Sequence, residues 1–234
     1  MNTGYIRGII QETITTRRFI ITNPQLEKFD FTAGQLVQLG LEINGRISWR
    51  NYSISSWPDG TNTFELLITY QKDGLFSEYL FNEIKIGDVV YYSGPYGAFV
   101  LPQIIDKTLI FISTGSGVSP FRSMINYIVE NDVETRDIHL LFGCRTKRDI
   151  LYYDEMKKLQ QQYPKFKFKP VLSREEWEGL NGYVQHHISN VIHSLHDKPL
   201  VYLCGWSDML WDARAILKEM GFELGKDIKV ENFG

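Results

Sequence analysis

The sequence predicts two folded parts of different class. The first is an antiparallel all-β barrel or sandwich over residues 1–102; the second is a parallel α/β sheet with helices on its faces over residues 103–234. Three observations predict this. The first hundred residues hold short runs of β-branched and aromatic residues separated by Gly, Pro, Asn or Asp. Beyond Leu101-Pro102 similar runs alternate with stretches of helical period, the mark of βαβ units. The 234 residues, 43% of them apolar, suffice for two compact cores.

In chain order, the first part gives strands at 5–12, 18–22, 35–42, 49–55, 63–70 and 89–93. One short helix interrupts them at 75–81, where Leu75, Tyr79 and Leu80 share a face. The second part gives strands at 108–113, 138–143, 167–172 and 200–204. Helices are expected at 119–130, 154–162, 184–194 and 207–220. Lys165-Phe166-Lys167-Phe168-Lys169 alternates strictly, so one face is apolar and the other basic. That basic face reads as solvated; the other reading is a dock for an acidic electron carrier.

Composition excludes several functions. A net charge of −3 offers no concentrated basic face for nucleic acid. Two cysteines, Cys144 and Cys204, cannot supply the four ligands of an iron–sulfur cluster. No stretch approaches the ~20 apolar residues of a membrane span. The opening Met1–Tyr5 segment lacks a basic region followed by an apolar run, so a signal peptide is not expected and the cytoplasm is the default setting. His186, His187, His193 and His196 show no metal-ligand spacing, and no metal is expected.

Four segments carry candidate chemistry. Thr114-Gly115-Ser116-Gly117-Val118-Ser119-Pro120 lies between an apolar run and a helical stretch. Its glycines permit a tight turn and close approach of a pyrophosphate, the helix start offers N–H groups, and Pro120 suits the first turn. It is not the Gly-x-Gly-x-x-Gly pattern. In Arg50-Asn51-Tyr52-Ser53-Ile54-Ser55, strand alternation puts Arg50 and Tyr52 on one face, a cation beside a ring, with Ser53 facing away. Gly74-Leu75-Phe76-Ser77 opens the short helix and is a second possible phosphate turn. Gly94-Pro95-Tyr96-Gly97 reads as a turn between strands. Singly, each reads as well as ordinary structure.

Together, and in this order, these segments resemble the ferredoxin–NADP reductase family. Further matches are Phe142-Gly143-Cys144-Arg145 with Asp149–Tyr152, Ser173-Arg174 with Gly182–Gln185, Cys204-Gly205 with Met209, and the closing Glu231-Asn232-Phe233. The resemblance spans nearly the whole chain.

The resemblance implies an N-terminal barrel holding FAD, a C-terminal Rossmann-like αβα domain holding NADP (or NAD), and hydride exchange between the two cofactors. It implies that Arg50 binds the flavin's phosphate, Tyr52 stacks on the ring and Ser53 hydrogen-bonds flavin N5. Ile54 continues that motif. Gly74, Leu75, Phe76 and Ser77 form the pyrophosphate turn. Thr114, Gly115, Ser116, Gly117 and Pro120 pass the dinucleotide; Arg145, Ser173, Arg174 and Tyr183 meet its adenosine end. Cys204, Gly205 and Glu231 lie near the nicotinamide, and Phe233 covers the flavin. Ser53, Cys204 and Glu231 are the implied catalytic set. Phe233 stands where the family commonly has Tyr or Trp, and Gly234 follows it. An Arg near the ribose favours a 2′-phosphate, whereas Glu175 and Glu176 would suit a free hydroxyl. The implied partner is a separate ferredoxin or flavodoxin. The alternatives are an NADH-dependent reductase component of an oxygenase, a docking electron-transfer subunit, and an enzyme that releases reduced flavin.

Overall fold

A computed structural model describes residues 1–232. They form two compact units, Met1–Leu101 with Ser119–Tyr127, and Pro102–Val118 with the chain from Ile128 onward.

The first unit contains β1 (Asn2–Thr13), β2 (Thr16–Thr22), β3 (Leu36–Ile43), β4 (Arg46–Ser53), β5 (Thr63–Thr69), helix α1 (Leu75–Asn82) and β6 (Val89–Tyr96). The strands are antiparallel in the order β4-β3-β6-β1-β2-β5. An antiparallel bridge between Ile54 and Leu66 joins the two ends of that order, so the sheet closes on itself as a barrel. Closure removes the unpaired edges that an open sheet would present. Register shifts in β1 at Ile6/Gly8 and Gln11/Thr13 supply the local bend that closure needs. The interior is apolar and aromatic. Phe29, Phe64 and Tyr92 meet at centroid distances of 4.7–5.6 Å, and α1 adds Phe76 and Leu80 to the same core. The buried Tyr92 hydroxyl accepts a hydrogen bond from Asn23 Nδ2 at 2.9 Å, so its polar end is satisfied.

The second unit contains β7 (Leu109–Thr114), β8 (Ile138–Cys144), α3 (Tyr153–Gln162), β9 (Phe166–Leu172), β10 (Leu180–Asn181), α4 (Ile188–His193), β11 (Leu200–Gly205), α5 (Ser207–Glu219) and β12 (Ile228–Asn232). Between β7 and β8 runs α2 (Ser119–Glu130). The six strands are parallel in the order β10-β9-β8-β7-β11-β12. Central strands of such a sheet are covered on both faces and read as unbroken apolar runs. β7 and β11 show this, buried along almost their full length. On one face Ile110, Ile112, Val201 and Leu203 pack with Ala213 and Leu217 of α5.

The predicted fold classes are those observed, with three local corrections. The helix expected at 184–194 is broken, with a 3-10 turn over Val184–His187 before the six-residue α4. β10 and β12 were not expected; both are short strands that exist through parallel pairing, β10 with the preceding β9 and β12 with β11. The alternating 165–169 segment buries Phe166 and Phe168 as expected. Lys165 and Lys167 are exposed, as expected, and their Nζ atoms each also donate to a backbone carbonyl at 2.6 Å, Thr135 O and Pro164 O.

Candidate functional site

In the first unit, β4 and α1 bring the expected groups together. Arg50 and Tyr52 flank one ring: the Arg50 guanidinium carbon lies 5.7 Å from the Phe76 centroid and the Tyr52 ring 6.1 Å from it. Alternation on β4 put the first two on one face, and the burial of Phe76 at the start of α1 supplies the third. Arg50 is exposed, and its Nη1 donates to Trp49 O at 2.7 Å. Burial pushes the Tyr52 phenol up to about 12, against an opposing pull from Arg50, so the phenol stays protonated at neutral pH. Ser53 is 2% exposed and faces away from Tyr52, opposite Leu36 in the sheet.

Two of these side chains are enclosed. The Ile54 side chain is fully buried in the barrel core, and its N–H donates to Gln35 O at 2.9 Å as the barrel closes. The Ser77 hydroxyl is engaged within its own turn: its one proton is shared between Gln71 O at 3.0 Å and Gly74 O at 3.1 Å, and its oxygen accepts from Gln71 N at 3.0 Å. It shapes the turn that begins α1. The side-chain position of Gly74 is equally closed, since a Cβ there would lie 3.0 Å from Gln71 O. Anion-binding capacity is left to the helix start itself, where no side chain caps the first turn over Leu75 and Phe76.

In the second unit, Gly115–Val118 forms a 3-10 turn between β7 and α2. Its two glycines have different reasons. A Cβ on Gly117 would lie 2.4 Å from Cys204 O, so packing of the turn on β11 requires a glycine there. Pro120 is likewise buried in the first turn of α2 and serves as a helix start. Gly115 has φ +54°, and the side where its Cβ would point is open apart from Trp206 Nε1 at 3.6 Å. That open side, with the partly exposed Thr114 and Ser116 beside it, forms a small cradle at the turn. Gly205, at φ +144°, closes against Thr114.

Cys204 and Glu231 are register partners across β11 and β12. The thiol is fully buried, and burial, reinforced by the Glu231 charge, pushes its pKa well above the usual thiol value. It is therefore a protonated thiol and not a thiolate nucleophile. Phe233 lies outside the described residues.

Ser173 and Arg174 line a cavity of about 220 Å³ with Leu172, Glu175, Glu176, Asn181 and Gly182. Ser173 Oγ donates to Cys144 O at 3.2 Å, and Arg174 N donates to Arg145 O at 2.9 Å, which brings the exposed Arg145 alongside. Glu175 accepts the Lys147 N–H at 2.8 Å. Tyr183 is 60% exposed and meets His186 edge-on at 5.7 Å. Sequence reasoning missed Trp206, whose only signal was its place directly after Cys204-Gly205.

A small cradle at the start of one sheet's helix, and an Arg–Tyr–Phe cluster on a closed barrel, define a class: an oxidoreductase joining a flavin domain to a pyridine-nucleotide domain. The comparisons agree. Residues 8–101 match the oxidoreductase FAD-binding domain and residues 111–215 the oxidoreductase NAD-binding domain. Ferredoxin–NADP reductase B of Sorangium cellulosum is 33% identical over 213 residues, covering 88% of this chain and 86% of that protein. The chain belongs to the ferredoxin–NADP reductase family. The glycine betaine monooxygenase reductase subunit of Chromohalobacter salexigens is 30% identical over 97% of this chain, which spans only 62% of that relative's length. A crystal structure of a ferredoxin–NADP+ reductase from Neisseria gonorrhoeae with bound FAD and NADP superposes with a TM-score of 0.85 at 26% identity, covering 100% of this chain and 98% of that one. No helix among the described residues is long and apolar enough to cross a membrane.

Proposed function

We propose that the chain is an NADPH-dependent FAD reductase that delivers single electrons to a separate ferredoxin or flavodoxin. FAD, when bound, supplies the redox chemistry, accepting two electrons as a hydride and releasing them one at a time. The protein's part is positioning. Arg50 holds a flavin phosphate, helped by the uncapped start of α1. Tyr52 offers its ring to the flavin and keeps its phenol proton. Ser53 is assigned the hydrogen bond to flavin N5. The Gly115 cradle takes the pyrophosphate of the nucleotide. Cys204 and Glu231 serve the nicotinamide end, the thiol as a neutral donor. Residues 1–102 are assigned to FAD and 103–234 to the nucleotide. Cytoplasmic placement, with both cysteines free, is part of the same reading.

The observation that carries NADPH is the division of charge in the 220 Å³ cavity. Arg174 lines it, and the Arg174 N–H on Arg145 O brings the exposed Arg145 alongside, while Glu175 has one oxygen, Oε2, on the Lys147 N–H. Guanidinium groups facing a 2′-phosphate are favourable. The second reading, an NADH-dependent reductase component of an oxygenase, draws on Glu176 in the same cavity and on the monooxygenase reductase subunit among the relatives. Steady-state kcat/KM for NADPH and NADH separates the two. A preference for NADPH that falls about tenfold in Arg174→Ala supports the first. A preference for NADH, or an unchanged ratio in the variant, supports the second.

A further inference from the structure

Trp206 is the N-cap of α5 and is 67% exposed. Isolated exposed aromatics are ordinary. This one is held in place beside the cradle. Its backbone N–H donates to Thr114 Oγ1 at 3.2 Å, and a Cβ on the preceding Gly205 would meet that same oxygen at 2.4 Å. The end of β11 and the end of β7 are therefore interlocked, and Trp206 starts from a fixed backbone. Its indole Nε1 lies 3.6 Å from the point a Gly115 Cβ would occupy, and among the described residues beyond Gly115's own turn no other atom comes within 4 Å of that point. Among the described residues the indole N–H has no hydrogen-bond partner. No side chain caps α5 either, so its first N–H groups face the same end of the sheet.

We propose that Trp206 is a nucleotide-positioning residue whose Nε1–H donates to a phosphate oxygen of the dinucleotide's pyrophosphate above Gly115. The proposal rests on the assignment of this unit to a pyridine nucleotide. The indole is a donor only, so it suits an anion and cannot serve a hydrogen-bond donor on the ligand. The glycine leaves the space that the phosphate needs, and the indole marks one wall of it.

The test compares the wild type with Trp206→Phe, which keeps an aromatic ring and removes the donor. Trp211→Phe, an equally exposed indole on α5 at 66%, is the control. Dissociation constants are measured for NADP+ and for adenosine 2′-monophosphate, which lacks the pyrophosphate; NAD+ and adenosine replace them if NAD+ binds more tightly. Trp206→Phe is expected to weaken dinucleotide binding about five- to tenfold and leave binding of the fragment unchanged. Quenching of tryptophan emission by NADP+ should fall in Trp206→Phe and persist in Trp211→Phe. An unchanged dinucleotide constant, or an equal loss for dinucleotide and fragment, overturns the proposal. If the wild type binds neither NADP+ nor NAD+, the nucleotide assignment itself fails.

Discussion

Gly115 and Gly117 stand two residues apart in one turn, and substituting each by alanine should give opposite phenotypes. At Gly117 a Cβ would sit 2.4 Å from Cys204 O and 2.7 Å from Gly205 Cα, both backbone atoms in a buried strand end. An ordinary carbon–oxygen contact is about 3.3 Å, so the turn or β11 must yield about 0.9 Å. Overpacking of this kind costs about 1–3 kcal/mol. For a chain of this size that lowers the melting temperature by roughly 3–9 °C. At Gly115 the added methyl meets, among the described residues beyond its own turn, only Trp206 Nε1, at 3.6 Å. Its backbone cost, a non-glycine residue at φ +54°, is about 1 kcal/mol. The methyl nevertheless occupies the cradle, and nucleotide binding should weaken at least tenfold. The assay pairs thermal unfolding with titration of NADP+ and NAD+. Gly117→Ala should lose more stability than Gly115→Ala, and Gly115→Ala should lose more affinity than its stability change explains. Wild-type nucleotide affinity in Gly115→Ala would refute the assignment of the cradle. Wild-type stability in Gly117→Ala would refute the packing argument.

His139 is 6% exposed on β8, and neither ring nitrogen has a hydrogen-bond partner among the described residues. Burial, aided by Lys169 and Lys167 and opposed by Asp137, lowers its pKa to about 4. The unfolded chain therefore binds a proton that the folded chain refuses, and stability is lost as pH falls from about 6.5 to 4. His139→Leu should flatten that part of the stability–pH curve and match or exceed wild-type stability at pH 7, as read by urea unfolding; an unchanged slope would count against it. Arg122 is enclosed within the first unit, donating to Glu65 Oε2 at 2.7 Å and Ser55 O at 2.9 Å, with Trp57 over its guanidinium at 5.4 Å. Arg122→Met should cost about 2–3 kcal/mol in chemical denaturation, because among the described residues Glu65 then keeps Arg18 alone as an ion-pair partner.

The fold was legible where pattern is local. α2 begins at Ser119 and ends at Glu130, as its apolar spacing and Pro120 indicate, and most strands fall within a few residues of their apolar runs. β12 was not legible because Ile228–Asn232 has only five residues and exists by parallel pairing with β11. β10 is two residues held against β9 for the same reason. In the candidate site, Arg50 and Tyr52 could be placed on one face from alternation alone. Which ring they share depends on where α1 packs, and that is a tertiary fact. The two glycines look alike as letters; only the neighbour above each separates a packing glycine from a cradle glycine. The turn partners of the Ser77 hydroxyl, Gln71 and Gly74, are likewise visible only in the folded chain.

The central claim is direct passage of a hydride from a nicotinamide to a flavin held by this chain. Purified protein, checked for a bound yellow chromophore, is mixed with NADPH and separately with NADH without oxygen, and visible flavin absorbance is followed. Rapid bleaching with NADPH, slower with NADH, is the outcome the account requires. Absorbance that stays constant with both nucleotides would contradict it.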